Sequence, residues 1–128
     1  MSQFSDYAEN ALFNLLLRAT SLSAPTTVYI ALYTSNPTDA NTGTELATGN
    51  YVRQPVTFAA PSNGSGANSG NVTWDPASTA FGVISHIGIF DSLTGGNLLL
   101  YGALNSSKTI GAGDIFRIST GQLVVTLA

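Results

Sequence analysis

A chain of 128 residues is long enough for one domain with a real hydrophobic core, and its 44% apolar content is ordinary. Only 9% of residues are charged, where about 25% is typical, and the polarity comes instead from Ser, Thr, Asn and Gly. Four scattered basic residues and a net charge of −3 exclude a phosphate-tracking stripe and so a nucleic-acid partner; zero cysteines exclude disulfides, thiolate metal sites and cysteine nucleophiles.

Residues 5–20 are predicted as the one helix, with Asp6 and Glu9 as a capping pair at its start. Ala8, Leu12, Leu15, Leu16 and Ala19 share a face at helical spacing, and Phe13 and Leu17 widen that face beyond what a surface helix needs. The expectation is a helix sealing one open end of a β-sandwich, with docking on a partner as its second use. Asp6 and Glu9 stand where a secretory signal would carry Lys or Arg, and the apolar run 11–17 is too short to span a bilayer. The expected setting is therefore a cytoplasm, with no membrane partner.

Beyond the linker closed by Pro25, residues 26–33 alternate as a strand, with Val28, Ile30 and Leu32 on one face and Tyr29, Ala31 and Tyr33 on the other. Residues 35–50 form a long polar connection, a length at which a loop is more often functional than idle. Pro55 interrupts the next strand, 51–58, and cannot donate to a ladder, which predicts a sheet edge or a bulge. Residues 60–71 lack side chains that could pack and are expected to be a flexible loop. A short strand follows with Val72 and Trp74 facing together.

The stretch 81–104 organises the remainder as a β-hairpin. Val83, Ser85, Ile87 and Ile89 are assigned to one face, and Ile84, His86, Gly88 and Phe90 to the other. Residues 91–97 are turn formers around Gly95-Gly96, and Leu98, Leu99 and Leu100 in succession mark a return strand buried between two layers. A second hairpin is predicted from 108–110 to 115–118 around Gly111 and Gly113, and 122–127 as a closing strand. The fold expected over 1–128 is mainly β: an antiparallel β-sandwich or jelly roll at about 26–128 with one N-terminal α-helix.

Catalytic chemistry is not signalled. His86 is the single histidine, with no Gly-x-Ser-x-Gly elbow to partner it, and is expected as a hydrogen-bonded strand residue at an inter-sheet or subunit boundary. Asp39, Asn41 and Glu45 around Gly43 mimic half of a calcium loop, but Asn50 stands where the bidentate Glu belongs. Loop Asn and Asp usually bond their own backbone. The expectation is no enzyme, no cofactor and no metal.

The segments PTTVYIALYTSNPTDANTGTEL, GNYVRQPVTF, VTWDPAS, FGVISHIGIFDSLTGGNLLLYGAL and GDIFRISTGQLVVTL together resemble a family of small tailed-bacteriophage virion proteins, comprising head decoration (cement) and tail-fibre proteins. Across nearly the whole chain the resemblance holds, the loop 61–70 being the departure. It implies a capsid decoration protein on the virion surface, made in the bacterial host cytoplasm, a homo-oligomer with a trimer favoured, and the major capsid protein as partner. It implies no catalytic residues. The alternative it leaves is a tail-fibre or receptor-binding module recognising a host-surface glycan, for which Tyr29, Tyr51, Trp74 and Tyr101 are the available aromatic side chains. The candidate interface residues are Leu12, Leu15 and Leu16 on the helix, expected to be buried against the β-layers or a neighbouring subunit, with Tyr33, Tyr51 and Arg53 as anchors, because Tyr and Arg are favoured at interface hot spots.

Overall fold

The computed structural model describes residues 3–127; residues 1, 2 and 128, the ends of the expected 1–128 domain, lie outside the described residues. Strand β6 (Gly82–Phe90) and strand β7 (Leu98–Ile110) form the predicted central hairpin. Strand β2 (Val28–Tyr33) pairs with the other side of β6, and β3 (Gln54–Val56) forms one edge of the sheet. The two-residue β1 (Gln3–Phe4) lies on the opposite edge, beside β7, giving an antiparallel sheet in the order β1-β7-β6-β2-β3. Pro55 sits opposite Tyr29 on the edge strand, where its missing N–H costs no ladder bond.

The alternation of β2 holds. Ile30 and Leu32 enter the main core, while Ala31 and Tyr33 join a second cluster on the opposite face. In β6 the strict alternation fails, and the register explains why. Ile84 pairs with Lys108 but His86 pairs with Ala103, so residues 104–107 bulge out opposite the single Ser85. That irregularity puts Ile84 in the same core as Ile87 and Ile89, contrary to the predicted faces, and leaves Val83 exposed. A second bulge at Leu99 lets Leu98 sit opposite Phe90 and Leu100 opposite Ile89. The Leu-Leu-Leu run thereby serves both faces: Leu98 packs with Phe90 and Tyr101, and Leu100 against the main core.

Two small antiparallel sheets cover the main-core face, and both correct the sequence expectations. Strand β5 (Val72–Thr73) pairs with β8 (Arg117–Ile118), so residues 115–118 leave the predicted hairpin and cross to the second layer. Asp114 makes that departure possible, its carboxylate accepting from the Gly111 N–H at 2.7 Å. Strand β4 (Ser65–Ala67) pairs with β9 (Val124–Thr126), which orders the segment expected to be flexible. Asn68 fastens it: its side-chain amide donates to the carbonyls of Gly70 and Ser119, and its oxygen accepts from the Leu123 N–H at 2.9 Å. Trp74 is buried, tilted against Phe116, and donates to the Val52 carbonyl at 2.9 Å.

Helix α1 (Asp6–Leu17) is shorter than predicted. Its cap is Ser5 rather than Asp6, the Ser5 Oγ accepting from the Ala8 N–H at 3.1 Å and donating to the Leu98 carbonyl. Ala19, at φ +53°, turns left-handed and ends the helix, with the Thr20 N–H returning to the Asn14 carbonyl. Ala8 is the one fully buried helical residue. Leu12 is half-buried and Leu15 and Leu16 are exposed, so this chain alone does not supply the burial expected of the helical leucines. The reason is placement. Ser5 and Asp6 are tied to Leu99 and Asp39, so the first turn is anchored to the body while the later turns project beyond it.

Candidate functional site

The second face of the sheet carries Ala31, Tyr33, Phe90, Leu98 and Tyr101, and residues 39–41 of the long connection 34–50 reach it through Tyr33 and Tyr101. That connection is not a loose loop. Leu46 N–H donates to the Leu32 carbonyl and Thr34 N–H to the Thr44 carbonyl, so it folds back as a continuation of the pairing along β2. Tyr33 O–H donates to Asn41 Oδ1 at 2.7 Å, and Tyr101 O–H donates to Asp39 Oδ1. The Asp39, Asn41 and Glu45 side chains, grouped in the sequence as half a calcium loop, are thus committed to three different protein partners.

Arg53 takes the third. Its guanidinium forms a two-pronged pair with Glu45, Nε to Oε2 at 2.9 Å and Nη2 to Oε1 at 2.8 Å. Nη1 donates to the carbonyls of Ser92 at 2.9 Å and Gly95 at 2.8 Å, in the hairpin loop 91–97. The same guanidinium lies 3.7 Å from the centroid of the Phe90 ring, which stacks parallel on Tyr33. Tyr51 completes the junction, donating to Glu45 Oε2 at 2.7 Å and accepting from the Leu32 N–H at 3.0 Å. One residue therefore locks the connection after β2, the start of β3 and the β6–β7 loop to each other.

The electrostatics follow from this enclosure. Burial alone would favour a neutral Arg53, but the hydrogen bond and charge of Glu45 outweigh it and hold the guanidinium protonated above its usual range. Burial, then the bond to Glu45, pushes the Tyr51 phenol far up. Tyr33 is raised to about 12 by burial and then by the Glu45 charge, and Tyr101 to about 12 by its bond to Asp39 and then by burial. All three remain neutral donors across the physiological range.

The predicted interface residues thus separate into two groups. Tyr33, Tyr51 and Arg53 are brought together, but as an internal junction: Arg53 is 8% exposed and Tyr33 1%. They organise the loop end of the sheet and offer little surface to a partner. Leu12, Leu15 and Leu16 stand apart on α1, where Phe13 (56% exposed), Leu16 (73%) and Leu17 (70%) form an outward apolar stripe. Glu45, grouped in the sequence with Asp39 and Asn41 as part of a calcium-like loop, is instead the partner of Arg53, a pairing with no local signal because seven residues separate the two.

Three other features bear on chemistry. Asp6, Glu9 and Asp39 hold carboxylate oxygens within 4.8 Å of one another, all exposed, at the positive end of α1 where anionic side chains are stabilised. His86 is half-buried, its Nδ1 2.7 Å from Ser85 Oγ, in the strand position expected of it. Of the aromatic side chains available to a glycan, Trp74 and Tyr101 are buried. Among the described residues no helix is long and apolar enough to cross a membrane. A sequence model of the Gp80 family, described as podophage GP4 fiber I protein gp80, matches residues 3–126. No curated protein matches the chain significantly.

Proposed function

The chain belongs to the podophage GP4 fiber I protein gp80 family, a family of phage virion structural proteins, and from that premise we propose that it is a non-enzymatic structural subunit of a phage fibre. The observation that carries this reading is the family match across residues 3–126. It favours the fibre alternative over the capsid-decoration role. The build of the domain is in keeping with it. The Arg53 junction fastens two long loops onto the sheet with charge-assisted bonds, which suits a rigid structural subunit. Trp74 and Tyr101 are buried inside the fold and Tyr51 is bonded to Glu45 and the Leu32 N–H, so three of the four candidate aromatics are not free to form a platform for a glycan.

The test is location on the particle. Fab fragments raised against the purified chain, imaged on intact virions by cryo-electron microscopy, should mark a projecting fibre. Fabs distributed over the capsid shell would overturn the fibre assignment and restore the decoration role, with the major capsid protein as partner.

A further inference from the structure

Past its first turn, the helix that the body leaves uncovered is apolar except for Asn10 and Asn14. Ala8 is buried in the chain, Leu12 is half-buried, and Phe13, Leu15, Leu16 and Leu17 face solvent. Large apolar side chains exposed together on one element mark an interaction surface. Tyr7 and Leu22 extend the exposed surface toward the segment after the helix. Beside it lies an apolar groove of about 180 Å³ between α1 and β7, lined by Phe4, Leu12, Leu22, Pro25 and Leu99 among others. We infer that this surface is a homotypic assembly interface, in which α1 of one copy of this chain packs against α1 and the adjoining groove of a second copy.

Three observations select a second copy as the occupant. The first is area. The exposed parts of Phe13, Leu16 and Leu17, the outward stripe, present on the order of 400 Å² of apolar side chain. At the usual apolar share of an interface this corresponds to about 1,300 Å² buried between two copies, within the range of stable protein–protein contacts. The second is charge. The chain carries a net −3, so copies repel in general, yet residues 10–17 contain no ionisable side chain. Two copies meeting along that part of the helix desolvate no charge, and Asp91, the one carboxylate lining the groove, is already bonded to Asn97. The third is self-complementarity. Projecting apolar side chains and the groove that can receive them occur on one helix, so each copy brings both halves of the contact. This inference goes beyond the fibre assignment and does not depend on it, since self-association is measured on the isolated protein.

The experiment is sedimentation velocity on the purified chain over a concentration series, with wild type, Leu16→Glu and Phe13→Ser. Wild type should associate, and each substitution should weaken association by about tenfold or more. Val83→Glu, at another exposed apolar residue, should leave it unchanged. Because the chain has no cysteine, Leu17→Cys and Val83→Cys report contacts directly: disulfide cross-linking between copies should be rapid for Leu17→Cys and slow for Val83→Cys. Circular dichroism of dilute Leu16→Glu should match wild type, because Leu16 makes little contact within its own chain. A wild type that stays monomeric at every concentration, association untouched by both helix substitutions, or cross-linking confined to Val83→Cys would each overturn the inference. So would a monomer whose helix binds a different virion protein.

Discussion

Replacing Arg53 with Ala should cost more stability than almost any other change to a polar side chain in this domain. The guanidinium is 8% exposed and makes two bonds to Glu45, two to loop carbonyls and a face contact with Phe90. Removing one partner of a buried ion pair typically costs about 3–5 kcal/mol, because the other is left uncompensated. Glu45 retains 25% exposure and can partly rehydrate, which places the expected loss at about 3–4 kcal/mol. For a domain of this size that corresponds to a melting temperature lower by about 10–15 °C, measurable by scanning calorimetry. Arg53→Lys keeps the charge but cannot span Glu45 and both carbonyls, and should recover less than half of the loss. The double replacement Arg53→Met with Glu45→Leu should cost less than the two single changes together, since neither charge is then stranded. A loss below about 1 kcal/mol for Arg53→Ala, or strict additivity in the double variant, would refute the claim that this junction holds the loops.

Gly43→Ala should destabilise the connection after β2, because an added Cβ would lie 2.4 Å from the Asn36 carbonyl oxygen and 2.7 Å from Pro37 Cα, and backbone cannot rotate away as a side chain can. The expected loss is about 1–3 kcal/mol in urea unfolding, and a change within about 0.5 kcal/mol would show that the connection relaxes freely. Alkaline pH should weaken the fold in a defined window. Tyr33 and Tyr101 ionise near 12 when folded but near 10 when unfolded, so the native state holds more protons between those values. Stability is therefore full below pH 10 and falls as pH rises through 12. Tyr33→Phe and Tyr101→Phe should each make that fall shallower in pH-dependent urea titrations, and unaltered slopes would refute the assignment.

Local pattern was enough for several elements. The period-two alternation of Val28, Ile30 and Leu32 against Ala31 and Tyr33 is a property of consecutive residues, and β2 realises it in both clusters. Pro55 marked the sheet edge because a missing donor excludes a central position wherever the chain folds. Residues 81–104 formed the expected hairpin for the same reason: a run of strand formers, turn residues at Gly95 and Gly96, then a second run. The segment-by-segment resemblance likewise pointed to the virion family that matches residues 3–126.

What the tertiary structure decided was everything that depends on partners distant in sequence. The bulges opposite Ser85 and at Leu99 reassign the faces of β6 and β7, and no local pattern shows where one strand gains residues on its neighbour. The glycine-rich segment near residue 65 becomes a strand because residues 124–126 arrive beside it, not because of its own side chains. Arg53 and Glu45 find each other across a loop, and Arg53 then reaches carbonyls 39 and 42 residues further along. Most of all, the sequence could show that α1 has apolar residues to spare but not which of them the body would cover. That depends on where the first turn is anchored, and bonds from Ser5 and Asp6 to Leu99 and Asp39 leave Phe13, Leu16 and Leu17 in water.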